Sequence, residues 1–262
     1  DPANPGRDAT LNHHDGKLMG NARMESPSMV ATAVQSAPPF AGDSNRVLQL
    51  DGNDSYLQLP PNIIRGLEDL TVEGWVRWDE FRFWSRSFSF GEGDYRFGVA
   101  NNGRTGNIWA GMDLGRTAGE LVSPGISSRS NLTAGQWVHV ALVAGADGMS
   151  LYVNGTLAGK QPQALISKLR GDSENRLGGG DGVPPLCGAL DEIRLWNVGR
   201  TAEQIRENML KQLTGSEPGL VGLWNFDDPA NPGRDASPNH HDGKLIRNAR
   251  TVSVDQSGSA GV

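Results

Sequence analysis

Apolar residues recur at every second position along most of this chain, and short runs rich in Gly, Asp and Asn cut the pattern into pieces. The densest piece is residues 135–159, GQWVHVALVAGADGMSLYVNGTLAG. Trp137, His139, Ala141 and Val143 share one alternation, and Val138, Val140 and Leu142 the other. Apolar residues on both predict a strand over 136–143 that is buried on both faces. The AGADG run predicts a turn and Met149–Val153 the returning strand. Asn154-Gly155 predicts a second tight turn into a third strand from Thr156.

The rest of the chain reads the same way. Residues 46–59 (RVLQLDGNDSYLQL) predict two short strands about the turn 51–54. Residues 69–79 predict a strong strand with Leu70, Val72, Trp75 and Val76 apolar, and 85–90, 94–99 and 107–112 continue the meander. Residues 24–41 and 165–185 read as connections, the second rich in Gly. Strands follow over 188–197 and 219–227 (GLVGLWNFD). One helix is predicted over 201–213. Thr201 and Gln204 have capping-box spacing, Ile205, Met209 and Leu213 recur every four residues, and Gly215 stops it. About a dozen strands and one helix predict an all-β sandwich.

Composition narrows the function. The net charge of −6 argues against nucleic acid and anionic membranes as partners. No apolar run approaches the roughly 20 residues of a membrane-spanning helix, so no membrane insertion is expected. The chain opens at Asp1 without Met, which reads as a fragment or a mature form. Its single cysteine, Cys187, reads as a buried structural thiol.

Residues 1–23 and 228–250 are near copies, differing only at Thr10/Ser237, Leu11/Pro238, Met19/Ile246 and Gly20/Arg247. The offset, 228 − 1 = 227 residues, is a whole-domain period, so a tandem array is expected.

The WVHVALV…LYVNG hairpin, the DLTVEGWV strand and the closing LDEIRLWNVGRTAEQI resemble the laminin-G-like, concanavalin A-like jelly rolls of bacterial multidomain extracellular proteins. The resemblance covers nearly the whole chain. It implies a jelly-roll β-sandwich and an extracellular or cell-surface place. It also implies a boundary near 218. Residues 1–218 would then be a domain lacking its own first strand, and 219–262 would open the next. Leu220, Leu223, Trp224 and Phe226 would fill the first-strand seat, in the same chain or by exchange with another copy.

The resemblance further implies a non-catalytic module that binds glycan or extracellular protein, with a self-assembling repeat as the alternative. Glucanases share the fold, but their closely spaced carboxylates are not found. After Glu92 and Asp94, Phe97 stands where a third acid belongs, and Asp191 and Glu192, being adjacent, are expected on opposite faces. Four of the five histidines lie in the repeated NHHDG turn, and His139 fits a core position. A structural calcium ion is expected by resemblance, with Asp51, Asn53, Asp54, Asp191, Asp8 and Asp235 as candidate ligands. Asp181 is a weaker candidate.

Trp78, Trp84 and Trp109 are interleaved with Arg77, Arg82, Arg86 and Arg104. Aromatic faces with arginines suit acidic sugars or a protein surface, so Trp78, Trp84, Trp109, Arg82 and Arg104 are the candidate ligand-binding residues.

Overall fold

Alternating Val, Leu, Ile and Phe build two antiparallel sheets whose apolar faces meet. A computed structural model describes residue 40 and residues 45–162, 166–169, 173–180 and 182–254. The first repeat copy with Asp8, His13 and His14, most of the 24–41 connection, and Asp181 lie outside the described residues.

The first sheet holds β1 (Arg46–Asp51), β3 (Leu70–Glu80), β10 (Trp137–Gly145), β11 (Gly148–Val153), β12 (Thr156–Gln161), β14 (Cys187–Trp196), β15 (Leu220–Trp224) and β17 (Arg250–Ser253). Its order is β12-β11-β10-β3-β14-β1-β17, with β15 paired to β14. The second sheet runs β16-β2-β13-β4-β5-β6-β9. Its members are β16 (Lys244–Ile246), β2 (Tyr56–Gln58), β13 (Arg176–Leu177), β4 (Arg86–Glu92), β5 (Tyr95–Asn101), β6 (Ile108–Leu114) and β9 (Gly125–Ser127). A small hairpin, β7 (Arg116–Thr117) with β8 (Glu120–Leu121), stands apart. The all-β sandwich expected from the pattern is what forms. β7, β8, β9, β13 and β17 add to the expected strands. They are two to four residues long, too short to show an alternation.

One core lies between the sheets. Leu48, Val72, Val76, Val140, Leu142 and Leu190 come from the first, and Leu57, Phe88, Phe97, Val99 and Met112 from the second. The other face of the first sheet is covered too. There Val47, Trp75, Trp137 and Ala189 form a separate buried cluster, and Trp75 Nε1 donates to the Met209 carbonyl. This double cover explains why β10 is apolar on both alternations.

The helix α1 (Ala202–Asn208) is shorter than the expected 201–213, although the Thr201–Gln204 capping box forms. Side chains of the sheet end it. Arg194 donates to the carbonyls of Asn208 and Lys211, and Trp75 to that of Met209, so these carbonyls point at the sheet. The expectation for Asp191 and Glu192 also needs correction. A bulge between Asp191 and Arg194 places Glu192 at φ +50°. Glu192 then bonds Arg194, which stands on the same face as Asp191. Cys187 opens β14 half-buried rather than buried.

The C-terminal segment lies in the sandwich of its own chain. Trp224 pairs with Ile193, Leu223 with Arg194 and Leu220 with Trp196, while Lys244–Ile246 pairs with β2. Leu220, Leu223, Trp224 and Phe226 are all buried. The outer edge of β15 is capped by side chains. Asp235 accepts the Leu223 amide, and Ser237, Asn239 and His241 contact the Val221 carbonyl. No row of open strand groups is left there for another chain.

Candidate functional site

The inner face of the second sheet is filled by Phe88, Phe90, Phe97, Val99, Ala110 and Met112. Strand alternation therefore turns Ser89, Arg96, Gly98, Trp109, Gly111 and Asp113 to the opposite, outer face. One register row across that face reads Gln58, Arg176, Ser89, Gly98, Gly111, Gly125. The glycines let large side chains lie flat. The Trp109 ring covers Gly111 and Gly125, where an added Cβ would come within 2.4 and 2.3 Å of indole atoms.

Arg86 crosses β5 to reach Asp113 at 2.8 Å, and its guanidinium sits 5.3 Å from the Trp109 ring centre. Ser123 Oγ donates to the other Asp113 oxygen at 2.6 Å. Arg96 pairs with Glu174. Burial pushes the Glu174 carboxyl up, but the hydrogen bond and charge of Arg96 outweigh it and hold it below its usual value. Among the described residues, Arg86 Nη1, Arg96 Nε and Ser89 Oγ are buried without a hydrogen-bond partner.

An aromatic ridge borders this layer. Trp84 meets Trp109 edge-on at 5.7 Å, and Phe83, 58 % exposed, meets Trp84 edge-on at 6.4 Å. Trp84 has φ +54°, a left-handed conformation that bulky residues seldom adopt. Asn101 holds it there. The Asn101 oxygen accepts from the Ser85 amide and hydroxyl, and its NH2 donates to the Arg82 and Gly103 carbonyls. The Trp84 amide donates to Gly103 as well.

Of the residues singled out from the sequence, the structure brings Trp84 and Trp109 together, with Arg104 exposed beside Gly103. Trp78 is not among them. It is 1 % exposed and part of the central core, with no ring face for a ligand. Arg82 is engaged elsewhere, donating to the Gly52 carbonyl and pairing with Glu80. Sequence reading missed Ser89, Arg96, Asn101 and Asp113 as site residues. Their signal was weak: polar residues alternating with Phe in RSFSF and YRFGV.

The candidate calcium ligands among the described residues lie in three places. Asp51, Asn53 and Asp54 share the β1–β2 turn, where Asp51 accepts from the Asn53 amide, Ser55 and Asn248. Burial pushes the Asp51 carboxyl up, but the Ser55 and Asn248 bonds outweigh it and leave it below its usual value. Asp51 lies opposite Cys187, so Asp191 is four residues, roughly 13 Å, further along β14. Asp191 is fully buried. Burial first, then the Glu192 and Asp227 charges, raise its carboxyl well above the usual range. Asp235 caps β15, accepting from Leu223, Ser237 and His241. Among the described residues no three His, Cys, Asp or Glu side chains form a group suited to a metal ion.

The family model described as the concanavalin A-like lectin/glucanases superfamily matches residues 51–206. The chain belongs to this superfamily. No curated protein sequence matches it. Several solved structures share the fold of this superfamily member. One is a candidate carbohydrate-binding protein from Bacteroides ovatus, at 18 % identity and TM-score 0.61. The match covers 80 % of this chain and 60 % of that one. A second is a heptameric SAP-like pentraxin from Limulus polyphemus, at 15 % identity and TM-score 0.55, covering 84 % of this chain and 100 % of that one. A third is the CBM40 of a Ruminococcus gnavus IT-sialidase bound to α2,3-sialyllactose. It has 18 % identity and TM-score 0.50, with 64 % of this chain and 100 % of that one covered.

The superfamily member also carries a buried polar network on the other sheet, where Glu73 accepts from Trp196 Nε1 at 2.9 Å. His139 Nε2 lies 3.7 Å from Glu73, and burial first, then the Arg194 charge, lowers its pKa to about 3. Being 1 % exposed, His139 is a core residue.

Proposed function

We propose that this chain is a non-catalytic, extracellular glycan-binding module whose ligand lies along the Phe83–Trp84 ridge, backed by the buried Trp109. The single observation that carries the reading is Trp84, held in a strained backbone conformation beside an exposed Phe83. Such strain persists only where surrounding bonds enforce it, and it gathers at functional sites. Aromatic rings presented at a surface suit the apolar faces of sugar rings. Arg104, next to the same turn, adds exposed donors.

The named relatives support the class. They include a candidate carbohydrate-binding protein and a CBM40 bound to sialyllactose. Non-catalytic action is supported by the state of the nearby acids. Asp113 and Glu174 are each paired with an arginine, and Glu174 is held below its usual value, the wrong direction for a general acid.

A glycan array followed by calorimetry tests the reading. Saturable binding lost in Trp84→Asn, with no reducing sugar released, supports it. Binding untouched by that change moves the site elsewhere.

A further inference from the structure

Three donors lie on the outer face of the neighbouring strands β4 and β5. Ser89 on β4 lies directly opposite Gly98 on β5, and Arg96 is two residues from Gly98 on the same face. Arg86 passes over β5 to Asp113. Ser89 is 0 % exposed. Buried polar groups without protein partners are uncommon in folded proteins and are met by water, an ion or a ligand. Two of these three atoms, Arg86 Nη1 and Arg96 Nε, can only donate.

Charge points the same way. Three arginines, Arg86, Arg96 and Arg176, stand with two carboxylates, Asp113 and Glu174. This arginine-rich patch lies on a chain of net charge −6. Burial holds the Arg86 guanidinium below its usual value and the Arg96 charge adds to that, against the pull of Asp113. An anion beside both would relieve the strain between them. The Arg86 and Arg96 side chains still reach the surface, 14 % and 17 % exposed. The three unpaired atoms are themselves covered, so a group approaching along this face meets the guanidinium edges first and reaches those atoms as the two side chains shift.

We infer that the glycan bound here is acidic, and that its carboxylate or sulfate accepts hydrogen bonds from Arg86, Arg96 and Ser89 while a neighbouring sugar ring packs on Trp84. The inference rests on the glycan-binding reading and names its ligand class. Anionic acceptors make the stronger, shorter hydrogen bonds with guanidinium groups. A neutral sugar could meet these donors only with uncharged hydroxyl oxygens, which make weaker hydrogen bonds with guanidinium groups.

The test is a calorimetric titration of the full chain with tetragalacturonate, chondroitin sulfate and cellotetraose. At least one acidic probe is expected to bind about tenfold more tightly than cellotetraose. Arg86→Lys keeps the charge but loses the forked donors, and should weaken that binding several-fold. Ser89→Ala discriminates best. If Ser89 only packs, removing an unpartnered buried hydroxyl leaves stability and binding unchanged or slightly improved. If it holds the anion, acid binding falls while the melting temperature does not. Binding of tetragalacturonate, whose only anions are carboxylates, would assign a carboxylate. Equal binding of acidic and neutral probes, or acid binding indifferent to both variants, overturns the inference and means that water alone serves these donors. Neutral binding lost in Trp84→Asn would in that case leave the glycan reading standing. Failure of every probe to bind removes the acidic-glycan inference, and the glycan array then decides the broader reading by itself.

Discussion

Asn101 holds Trp84 at φ +54° by accepting from the amide and hydroxyl of Ser85 and donating to the carbonyls of Arg82 and Gly103. Asn101→Ala is expected to destabilise the fold by about 2–3 kcal/mol, because four bonds are lost and buried groups around Ser85 are left open. It should also weaken glycan binding, since the ridge loses its fixed shape. Trp84→Asn separates the two effects, because Asn tolerates left-handed backbone. Urea denaturation should show it near wild type, while calorimetry shows binding lost.

Trp78 gives the opposite pattern. Its side chain is in the central core, so Trp78→Ala is expected to cost about 3–5 kcal/mol. Glycan affinity should be unchanged in the folded fraction. Urea denaturation beside calorimetry checks both, and a selective loss of affinity would return Trp78 to the site.

Asp235 accepts four hydrogen bonds behind β15. Asp235→Ala is expected to cost about 2–4 kcal/mol and to expose the Leu223 amide to hydrogen exchange. Asp235→Asn should be nearly as damaging, because one side of its amide must present N–H groups to the His241 amide. An Asn variant as stable as wild type would mean that the carboxylate charge and its second oxygen contribute little.

Since β15 and β16 pair within the chain, light scattering is expected to give one mass near 28.0 kDa at all concentrations. A ladder of multiples would show that the segment is exchanged between copies.

His139 makes stability depend on pH. Its folded pKa is lowered to about 3, below an unfolded value of about 6.5. The unfolded chain therefore takes up the proton first, so the contribution is complete above about pH 6.5 and is lost as pH falls toward 3. Glu73 and Asp191 are raised, chiefly by burial, so they act in the opposite sense on the acid side. The effect must be read by difference. Below pH 6.5, wild type should lose stability relative to His139→Gln by about 1.4 kcal/mol per unit. Parallel curves would show that His139 does not titrate alone.

The two-sided apolar run of β10 was legible because a strand covered on both faces has no polar alternation to show. The capping box at Thr201 was legible because it is local. The end of α1 was not, because Arg194 and Trp75 set it from two strands of the sheet, β14 and β3, and only the tertiary fold brings them to it. The adjacency of Asp191 and Glu192 misled, because the rule of opposite faces fails at a bulge. Trp78 and Trp84 are alike in the sequence, six residues apart among arginines and acids. One faces the core because it sits in β3; the other follows that strand, in a left-handed turn bonded to Asn101. Ser89, Arg96 and Asp113 became a group only when β4, β5 and β6 were laid side by side.

The sequence by itself determined the all-β sandwich, most strand positions and the superfamily, since those follow from local alternation and turn chemistry. Which tryptophan reaches the surface, which carboxylates are paired, and where three buried donors meet were decided by the tertiary structure. Each depends on register between strands, and no local pattern encodes which residues lie opposite one another.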